Sequence, residues 1–382
     1  MKVPFNYLPQ QFGDVEPYLA EWRNLAATGE FTLGPFVEAF EAKFARYVGA
    51  RHCISTNNGT DALILALKAA GIGPGDEVIT VTNTFYATAG AIVAAGATPV
   101  FVDCDERFQI DAGKISSAVT EKTRAILPVH WAGASPDMNR VLKLAEAHGL
   151  VVIEDACPAV GAYVDGRHAG TFGKLGAFSV HPLKPLNVMG DGGMTVTDND
   201  ALADWMRKYR NHGMADRDHI DFWGVNMRLQ PFQAIVGSRV LDTVADLVKM
   251  RNRNARRLDE GLRRLREFVT VVERCARHVE AQQLYMACFE RRDQLLRFLI
   301  TRGIEAKVHY PVPLHLQKAA AGLGYKRGDF PVAERQADHL ITLPAHQFIT
   351  AEQIDYMLET IREFYLGKQT FANTEEKITV GG

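Results

Sequence analysis

Lys184 is the residue whose position along the chain points most directly to chemistry. It comes shortly after the apolar segment GAFSV, which predicts a buried strand, and a GDGG segment follows it. A lysine held near an apolar sheet edge loses its proton easily, and the neutral amine can form an imine with a carbonyl group. Lys174 competes for this role. However, it precedes the same strand in a glycine-flanked turn, so we expect it at the opposite edge of the sheet, in solvent.

Asp155 closes another apolar segment, VVIED, directly after Glu154. A carboxylate at the end of a buried strand is costly unless it is paired. A protonated pyridine nitrogen is a suitable partner, and the charge pair would keep such a ring able to accept electrons. Taken alone, Asp155 is equally well explained as a helix cap or as half of a structural ion pair.

Two further segments follow predicted strands. Gly59 and Thr60 stand between HCIST and the helix pattern DALILALKAA, where unpaired N–H groups at a helix start could hold a phosphate. A helix cap with a turn glycine is the alternative there. Phe85 follows EVITVT, and an aromatic residue at that place either belongs to the core or stacks on a flat ligand.

The elements that must position these residues alternate between strand and helix from about residue 49 to residue 196. This alternation predicts an α/β fold with a mostly parallel sheet, and ligands bind beyond the carboxyl ends of such strands. We expect a large domain over residues 1–245 and a smaller C-terminal α+β domain over residues 246–382, with a frayed tail over 367–382. The predicted helices of the C-terminal domain are VKMRNRNARRLDEGLRRLREF, DQLLRFLITRG and AEQIDYMLETIREFYLG. Its predicted strands lie near QLYMACFE and AKVHY.

Composition excludes several classes of protein. The 382 residues carry a net charge of -2, which argues against a nucleic-acid partner. The N-terminal segment lacks the apolar core of a signal peptide, and no apolar stretch is long enough to cross a membrane, so we expect a cytoplasmic protein. The five cysteines form no CxxC pair and indicate no metal site. The glycine-rich segment 71–75 precedes a strand instead of following one, which argues against a nicotinamide-dependent oxidoreductase.

Together these segments resemble the DegT/DnrJ/EryC1/StrS family of aminotransferases, which have the type I fold of enzymes that use pyridoxal 5′-phosphate. The resemblance covers nearly the whole chain and rests on the motifs NNGTDAL, NTFYAT, VVIEDAC, GAFSVHPLKPLNVMGDGG and GVNMRLQPFQAIVG. It implies that Lys184 forms the imine with the cofactor and moves protons, and that Asp155 pairs with the ring nitrogen. Phe85 would stack on the ring.

The resemblance implies further contacts. Phosphate ligands would be Gly59, Thr60 and Ser179, together with Asn226 from a neighbouring subunit, so a homodimer with shared active sites is expected. Substrate contacts would be Arg228, His309 and Tyr310, although His309 is equally well explained as a domain-interface histidine. The chain departs from the family at Pro158, where many members have a glutamine that donates a hydrogen bond to the ring hydroxyl.

The implied reaction moves an amino group from glutamate or glutamine to the keto group of a nucleotide-linked deoxy-ketosugar. The segment HYPVPLHLQ resembles members of the family that act at sugar C-3, so the resemblance favours amination at C-3 over C-4. Lys184 argues against the relatives that have histidine at this position and act as sugar dehydratases. Two alternatives remain open: a cyclitol ketone as acceptor, and a catalytically silent binding protein that keeps the cofactor fold.

Overall fold

Short strands alternate with helices along the first half of the chain in the computed structural model, which describes residues 1–367. Most of the predicted tail, from residue 368 onward, lies outside the described residues. The strands within residues 1–367 are β1 (His52–Thr56), β2 (Glu77–Val81), β3 (Thr98–Val102), β4 (Thr123–Leu127), β5 (Val151–Asp155), β6 (Tyr163–Val164), β7 (Arg167–His168), β8 (Leu175–Ser179), β9 (Gly193–Thr197), β10 (Val269–Val271), β11 (His278–Val279), β12 (Tyr285–Phe289) and β13 (Leu340–Leu343).

The helices pack on these strands and connect them. They are α1 (Leu8–Gln11), α2 (Glu16–Thr28), α3 (Pro35–Val48), α4 (Gly59–Ala69), α5 (Tyr86–Ala94), α6 (Ile115–Ala118), α7 (Met138–His148), α8 (Asp200–Tyr209), α9 (Pro231–Leu241), α10 (Val244–Leu262), α11 (Arg292–Thr301), α12 (Pro331–His339) and α13 (Ala351–Leu366). None of the helices within residues 1–367 combines the length and the apolar composition that a bilayer span requires.

Seven strands form the central sheet in the order β1-β9-β8-β5-β4-β2-β3. Strand β9 pairs antiparallel with both of its neighbours, whereas the other pairs are parallel. All five residues of β8 are buried, as expected for a strand covered on both faces. The predicted α/β fold with a mostly parallel sheet is confirmed. This arrangement brings the carboxyl ends of β2, β5 and β8 to one edge of the sheet.

A second sheet of three antiparallel strands, β10-β12-β13, forms in the C-terminal part of the chain. Its apolar side packs against helices α10, α11 and α13 around a separate hydrophobic cluster. A third small sheet joins β11 to β6 and β7. The predicted domain boundary at residue 245 falls in the first turn of α10, and it remains a prediction.

The strand predicted near AKVHY is wrong. Lys307 forms only an isolated antiparallel bridge with Thr342, at the edge of the sheet of β12 and β13. Two features explain why no further ladder forms. Pro311 and Pro313 lack the N–H groups that continued pairing needs, and the side chain of His309 bonds the Thr342 hydroxyl. The segment therefore leaves the sheet and runs along the cavity described next.

Candidate active site

One cavity of about 530 Å³ lies beyond the carboxyl ends of β2, β5 and β8. Eight of the side chains or backbone positions singled out in the sequence line it, namely Gly59, Thr60, Phe85, Asp155, Ser179, Lys184, His309 and Tyr310. Pro158 lines it as well, so the departure from the family pattern faces the same space. Lys174 is exposed at the opposite end of β8, as its position in the sequence predicts.

Lys184 is held in a turn just beyond β8. Its backbone N–H donates to the His181 carbonyl at 2.8 Å, and its own carbonyl accepts from the Tyr7 hydroxyl at 3.2 Å. Burial lowers the pKa of the Lys184 amine below its ordinary value, while Cys157 and Asp155 oppose that shift. A lowered pKa increases the fraction of neutral amine, which is the form that attacks a carbonyl carbon or accepts a proton.

Asp155 is buried at the end of β5, and it lines the same cavity as Lys184. Its carboxylate accepts hydrogen bonds from the Thr88 hydroxyl at 2.8 Å and from the Cys157 N–H at 3.2 Å. No lysine, arginine or histidine within residues 1–367 forms an ion pair with it. The structural ion pair considered for this residue is therefore absent, and a buried carboxylate facing a cavity is suited to a cationic ligand.

The neighbouring carboxylate, Glu154, lies on the other face of the strand and is fully buried. Its oxygens accept from the N–H groups of Gly170 and Gly173 at 2.8 and 2.6 Å, and Nε2 of His130 lies 2.8 Å away. Every contact of Glu154 is thus internal. The two adjacent acids differ clearly: one is satisfied by the protein and the other faces the cavity.

The start of α4 provides the anion-binding feature of the site. The cap is Asn58, whose side chain accepts from the Asp61 N–H at 2.8 Å, so the cap interpretation is correct for this residue. Gly59, next in the chain, lies so close to β8 that a Cβ there would sit 2.8 Å from Cβ of Ser179. Only glycine leaves the backbone N–H groups and the Ser179 hydroxyl close together at the helix start, where an anion is favoured.

Replacing Gly59 by alanine is expected to weaken retention of a bound phosphate compound about tenfold or more, because losing one charge-assisted contact costs about 1.5–3 kcal/mol. Gly73→Ala is the matched control, since a Cβ at Gly73 meets no atom within 4 Å. Equilibrium dialysis of pyridoxal 5′-phosphate against both variants measures the effect. Equal retention by the two variants would contradict the phosphate assignment.

Aromatic rings form one wall of the cavity. Phe85 is 45% exposed, so it does not belong to the core, and its ring centroid lies 4.6 Å from that of Tyr86 and 6.0 Å from that of Tyr310. The Trp131 ring lies 5.8 Å from Tyr310 on the other side. An exposed aromatic face beside Asp155 and Lys184 offers a stacking surface for a flat ligand.

His309 reaches the cavity from the C-terminal half of the chain. Its Nδ1 lies 2.9 Å from the Thr342 hydroxyl, and burial lowers the pKa of His309 to about 4. The ring is therefore neutral near pH 7 and can donate or accept a hydrogen bond without carrying charge. Burial also raises the pKa of the adjacent Tyr310.

Two of the residues predicted for the site do not line this cavity. Asn226 is exposed on the loop before α9, where its side-chain oxygen accepts from Nε of Arg228 at 3.1 Å. A terminal nitrogen of Arg228 donates to Asn211 at 2.9 Å. Trp223, on the same loop, is 87% exposed. Ile220 and Val225 on this loop are also exposed, so apolar side chains in solvent flank the polar pair along the chain.

Sequence reasoning missed three residues that support the site. Thr88 lies within the NTFYAT motif, and its spacing from Phe85 could have indicated a hydroxyl on the same side of α5. Cys157 contacts Asp155 through its backbone, and Tyr7 reaches Lys184 from the N-terminal segment. The sequence carries no signal for Tyr7, since 177 positions separate it from its partner.

The geometry fits a flat cationic ring that carries a phosphate. The buried unpaired carboxylate suits a protonated ring nitrogen, and the exposed Phe85 face suits the ring itself. The glycine-backed helix start suits the phosphate, and the amine with a lowered pKa suits an aldehyde on the ring. Pyridoxal 5′-phosphate combines all four features.

Comparison with known proteins agrees with this fit. The chain is 42% identical over 371 residues to the "Pleiotropic regulatory protein" of Geobacillus stearothermophilus, covering 96% of this chain and 99% of the relative. It is 38% identical to the dTDP-3-amino-3,4,6-trideoxy-alpha-D-glucose transaminase of Micromonospora megalomicea subsp. nigra, over 89% of this chain and 92% of that protein. The crystal structure of S. venezuelae DesV in complex with a ketimine intermediate superposes with a TM-score of 0.92 at 36% identity, covering 97% of this chain and 100% of DesV.

The model of the DegT/DnrJ/EryC1/StrS aminotransferase family matches residues 14–362, which is nearly the whole described chain. The chain therefore belongs to the DegT/DnrJ/EryC1/StrS aminotransferase family and is a pyridoxal-phosphate-dependent aminotransferase.

Proposed function

We propose that this enzyme transfers an amino group from glutamate or glutamine to the keto group of a nucleotide-linked deoxy-ketosugar. One observation carries the catalytic part of this proposal: the Lys184 amine and the unpaired Asp155 carboxylate line the same cavity. The relatives whose names specify a substrate support the sugar part. A cytoplasmic location fits such substrates and is part of the proposal.

Lys184 and Asp155 divide the chemistry between them. When bound, pyridoxal 5′-phosphate supplies the electron sink that stabilises a carbanion at the carbon bearing the nitrogen. In the first half of the reaction the Lys184 amine takes the proton from the α-carbon of the donor, and its lowered pKa favours this step. In the second half the same group delivers a proton to the sugar carbon that receives the nitrogen. The Asp155 carboxylate, held in place by Thr88, keeps the ring nitrogen protonated.

The remaining cavity residues hold the cofactor and the substrates. We assign phosphate binding to Gly59, Thr60 and Ser179, because these residues line the cavity at the start of α4. We assign ring stacking to Phe85, because it belongs to the aromatic wall of the cavity. Substrate contacts in the same protomer fall to His309 and Tyr310, which reach the cavity from the C-terminal half of the chain.

Asn226 and Arg228 lie outside the cavity of their own protomer, and we assign them to the site of a second copy. Ile220, Trp223 and Val225 on the same loop are 48%, 87% and 37% exposed, and this cluster supports a homodimer, because larger exposed apolar patches mark interaction surfaces. In such a dimer Asn226 binds the cofactor phosphate of the partner, and Arg228 contacts an anionic group of the substrate.

Replacing Asn226 by alanine is expected to weaken cofactor retention about tenfold or more, since a hydrogen bond to a charged group contributes about 1.5–3 kcal/mol. Asp218→Ala, in the same exposed loop, is the control. Dialysis measures retention, and sedimentation velocity measures the oligomeric state. A monomer with full activity would contradict the shared site.

Amination at C-3 is the position we favour. Residues 309–317 resemble the corresponding segment of family members that act at sugar C-3. The name of the M. megalomicea transaminase also specifies a 3-amino sugar. The test is a transamination assay with glutamate or glutamine and a series of 3-keto and 4-keto nucleotide sugars. Release of the oxo acid with the 3-keto sugars only is the expected outcome, and turnover with 4-keto sugars only would reject the C-3 assignment.

A silent binding protein is the second candidate, and the name of the 42% identical relative, a pleiotropic regulatory protein, is the observation that favours it. The same assay separates the two. Such a protein binds the cofactor but releases no oxo acid with any keto substrate. Turnover with a cyclitol ketone but not with nucleotide sugars would support an aminotransferase whose acceptor is a cyclitol ketone instead of a nucleotide sugar.

A further inference from the structure

Arg251 on α10 is a buried cation for which residues 1–367 provide no counter-ion. Its side chain is 1% exposed, and Nε donates to Oε1 of Gln347 at 2.9 Å. One terminal nitrogen donates to the Gln282 carbonyl at 3.3 Å, and the guanidinium lies 5.2 Å from the ring centroid of Tyr7. The other terminal nitrogen has no hydrogen-bond partner within residues 1–367, and no carboxylate there forms an ion pair with Arg251.

Other arginines removed from solvent in this protein are neutralised. Arg210 forms an ion pair with Glu41, and Arg274 bonds both Asp259 and Glu280. Burying a charge without a partner costs several kcal/mol, so an unneutralised guanidinium is a poor structural element. Its retention is explained if an anion reaches it during function.

A small cavity of about 60 Å³ adjoins Arg251 and shares part of its wall with the Lys184 cavity. Four residues line both cavities: Leu183, Gln283, Leu284 and His309. The small cavity also contacts His346, whose pKa burial lowers to about 4, as it does for His309. Both imidazoles are neutral at pH 7, so Arg251 is the permanent positive charge among the residues that line the small cavity.

The larger cavity offers no permanent positive charge for a carboxylate. Within the described chain its only basic side chain of the lysine or arginine type is Lys184, which forms the imine, and its lining includes the acids Asp61, Asp155 and Asp191. An amino acid that reacts at Lys184 brings at least one carboxylate into this acidic space. That carboxylate needs a cation close to the reacting centre, and Arg251 is the one adjoining the shared wall.

We propose that the small cavity is the subsite for a carboxylate of the amino donor, with Arg251 as the specificity-determining contact. The inference rests on the proposed transaminase function and adds the residue that recognises the donor. Size supports a small anionic group instead of a nucleotide, because the small cavity has about 60 Å³ against about 530 Å³ for the Lys184 cavity. Arginine also binds a carboxylate through two parallel hydrogen bonds.

The test measures binding of glutarate, a dicarboxylate without a reactive amine, to the holoenzyme by isothermal titration calorimetry. Arg251→Gln is expected to raise the Kd for glutarate about 10-fold to 100-fold, the cost of about 1.5–3 kcal/mol for a charge-assisted contact. Arg253→Gln, exposed two residues later on the same helix, is the control and should leave the Kd unchanged. Arg251→Lys, which keeps the charge, should fall between the two.

A Kd for Arg251→Gln within twofold of the wild type would overturn the subsite. If that variant does not fold, the wild-type protein still decides: glutarate must bind at least tenfold more tightly than its neutral diamide, glutaramide, and equal affinities would overturn the proposal. Steady-state kinetics add a second readout, in which the KM for the donor rises while the KM for the sugar stays constant. Glutarate binding requires no turnover, so it tests the subsite alone. A transamination assay that fails with every ketosugar would reject the proposed function without deciding the subsite.

Discussion

Lys184→Ala is expected to lose the visible absorbance of the bound cofactor and to lower kcat by about 10³-fold or more, since a positioned acid–base group typically contributes 10²–10⁴-fold. The amine lies in a turn just beyond β8, where burial lowers its pKa and Tyr7 fixes its backbone. Removing it takes away both the group that attaches the cofactor and the group that moves the proton. Absorbance spectra of the holoenzyme and single-turnover kinetics with glutamate measure the two losses separately.

Lys174→Ala provides the matched control for this variant. Lys174 lies at the opposite end of the same strand and is exposed, so its loss should leave both the spectrum and kcat unchanged. If Lys174→Ala lost the spectrum and the activity while Lys184→Ala kept them, the assignment of the cofactor to the sheet edge beside Lys184 would be wrong. An unchanged spectrum in Lys184→Ala would be equally damaging, because the cavity lining in the described chain contains no second lysine.

Asp155→Asn is expected to lower kcat by about 10²–10³-fold, comparable with the loss of a preorganised electrostatic contact in other enzymes. Asparagine keeps the shape and can still accept from Thr88, so the fold should persist while the charge is lost. A neutral side chain no longer holds the ring nitrogen protonated, and the carbanion loses its stabilisation. Pre-steady-state measurement of proton removal from α-deuterated glutamate isolates this step.

Asp61→Asn serves as the control, because Asp61 is another acid that lines the cavity, but its carboxylate accepts a hydrogen bond from the side chain of Asn58, the cap of α4. We expect it to change kcat by less than tenfold. If Asp155→Asn were as mild as Asp61→Asn, the buried carboxylate would have no special role. A circular dichroism spectrum that matches the wild type is required of both variants before the rates are compared.

The main site residues are predictable from sequence because the fold converts position along a strand into position in space. Residues that directly follow the buried strands of a parallel sheet meet at one edge, so the order of residues along the chain is enough to group Asp155, Lys184 and Phe85. The same argument separates Lys174 from Lys184. The adjacent acids Glu154 and Asp155 could not be separated this way, since only the contacts of Glu154 with His130 and two backbone N–H groups reveal its internal role.

Residues from distant segments could not be predicted. Tyr7 contacts the Lys184 backbone from the N-terminal segment, and Arg251 lines the adjoining small cavity from α10. No local pattern encodes these contacts. In the basic, amphipathic sequence of α10, a buried arginine looks like its exposed neighbours. The strand prediction for the AKVHY segment was wrong for a related reason. Its alternating residues match a strand pattern, but the pairing with Thr342 ends after one bridge.

The account depends on a covalent link between one lysine and the cofactor. Sodium borohydride treatment of the holoenzyme, followed by proteolysis and peptide mass mapping, fixes the cofactor to the side chain that holds it. We predict that the added mass falls on the peptide containing Lys184 and on no other. A label on Lys174 or another lysine, or no label in protein that carries the cofactor, would contradict the assignment of this site.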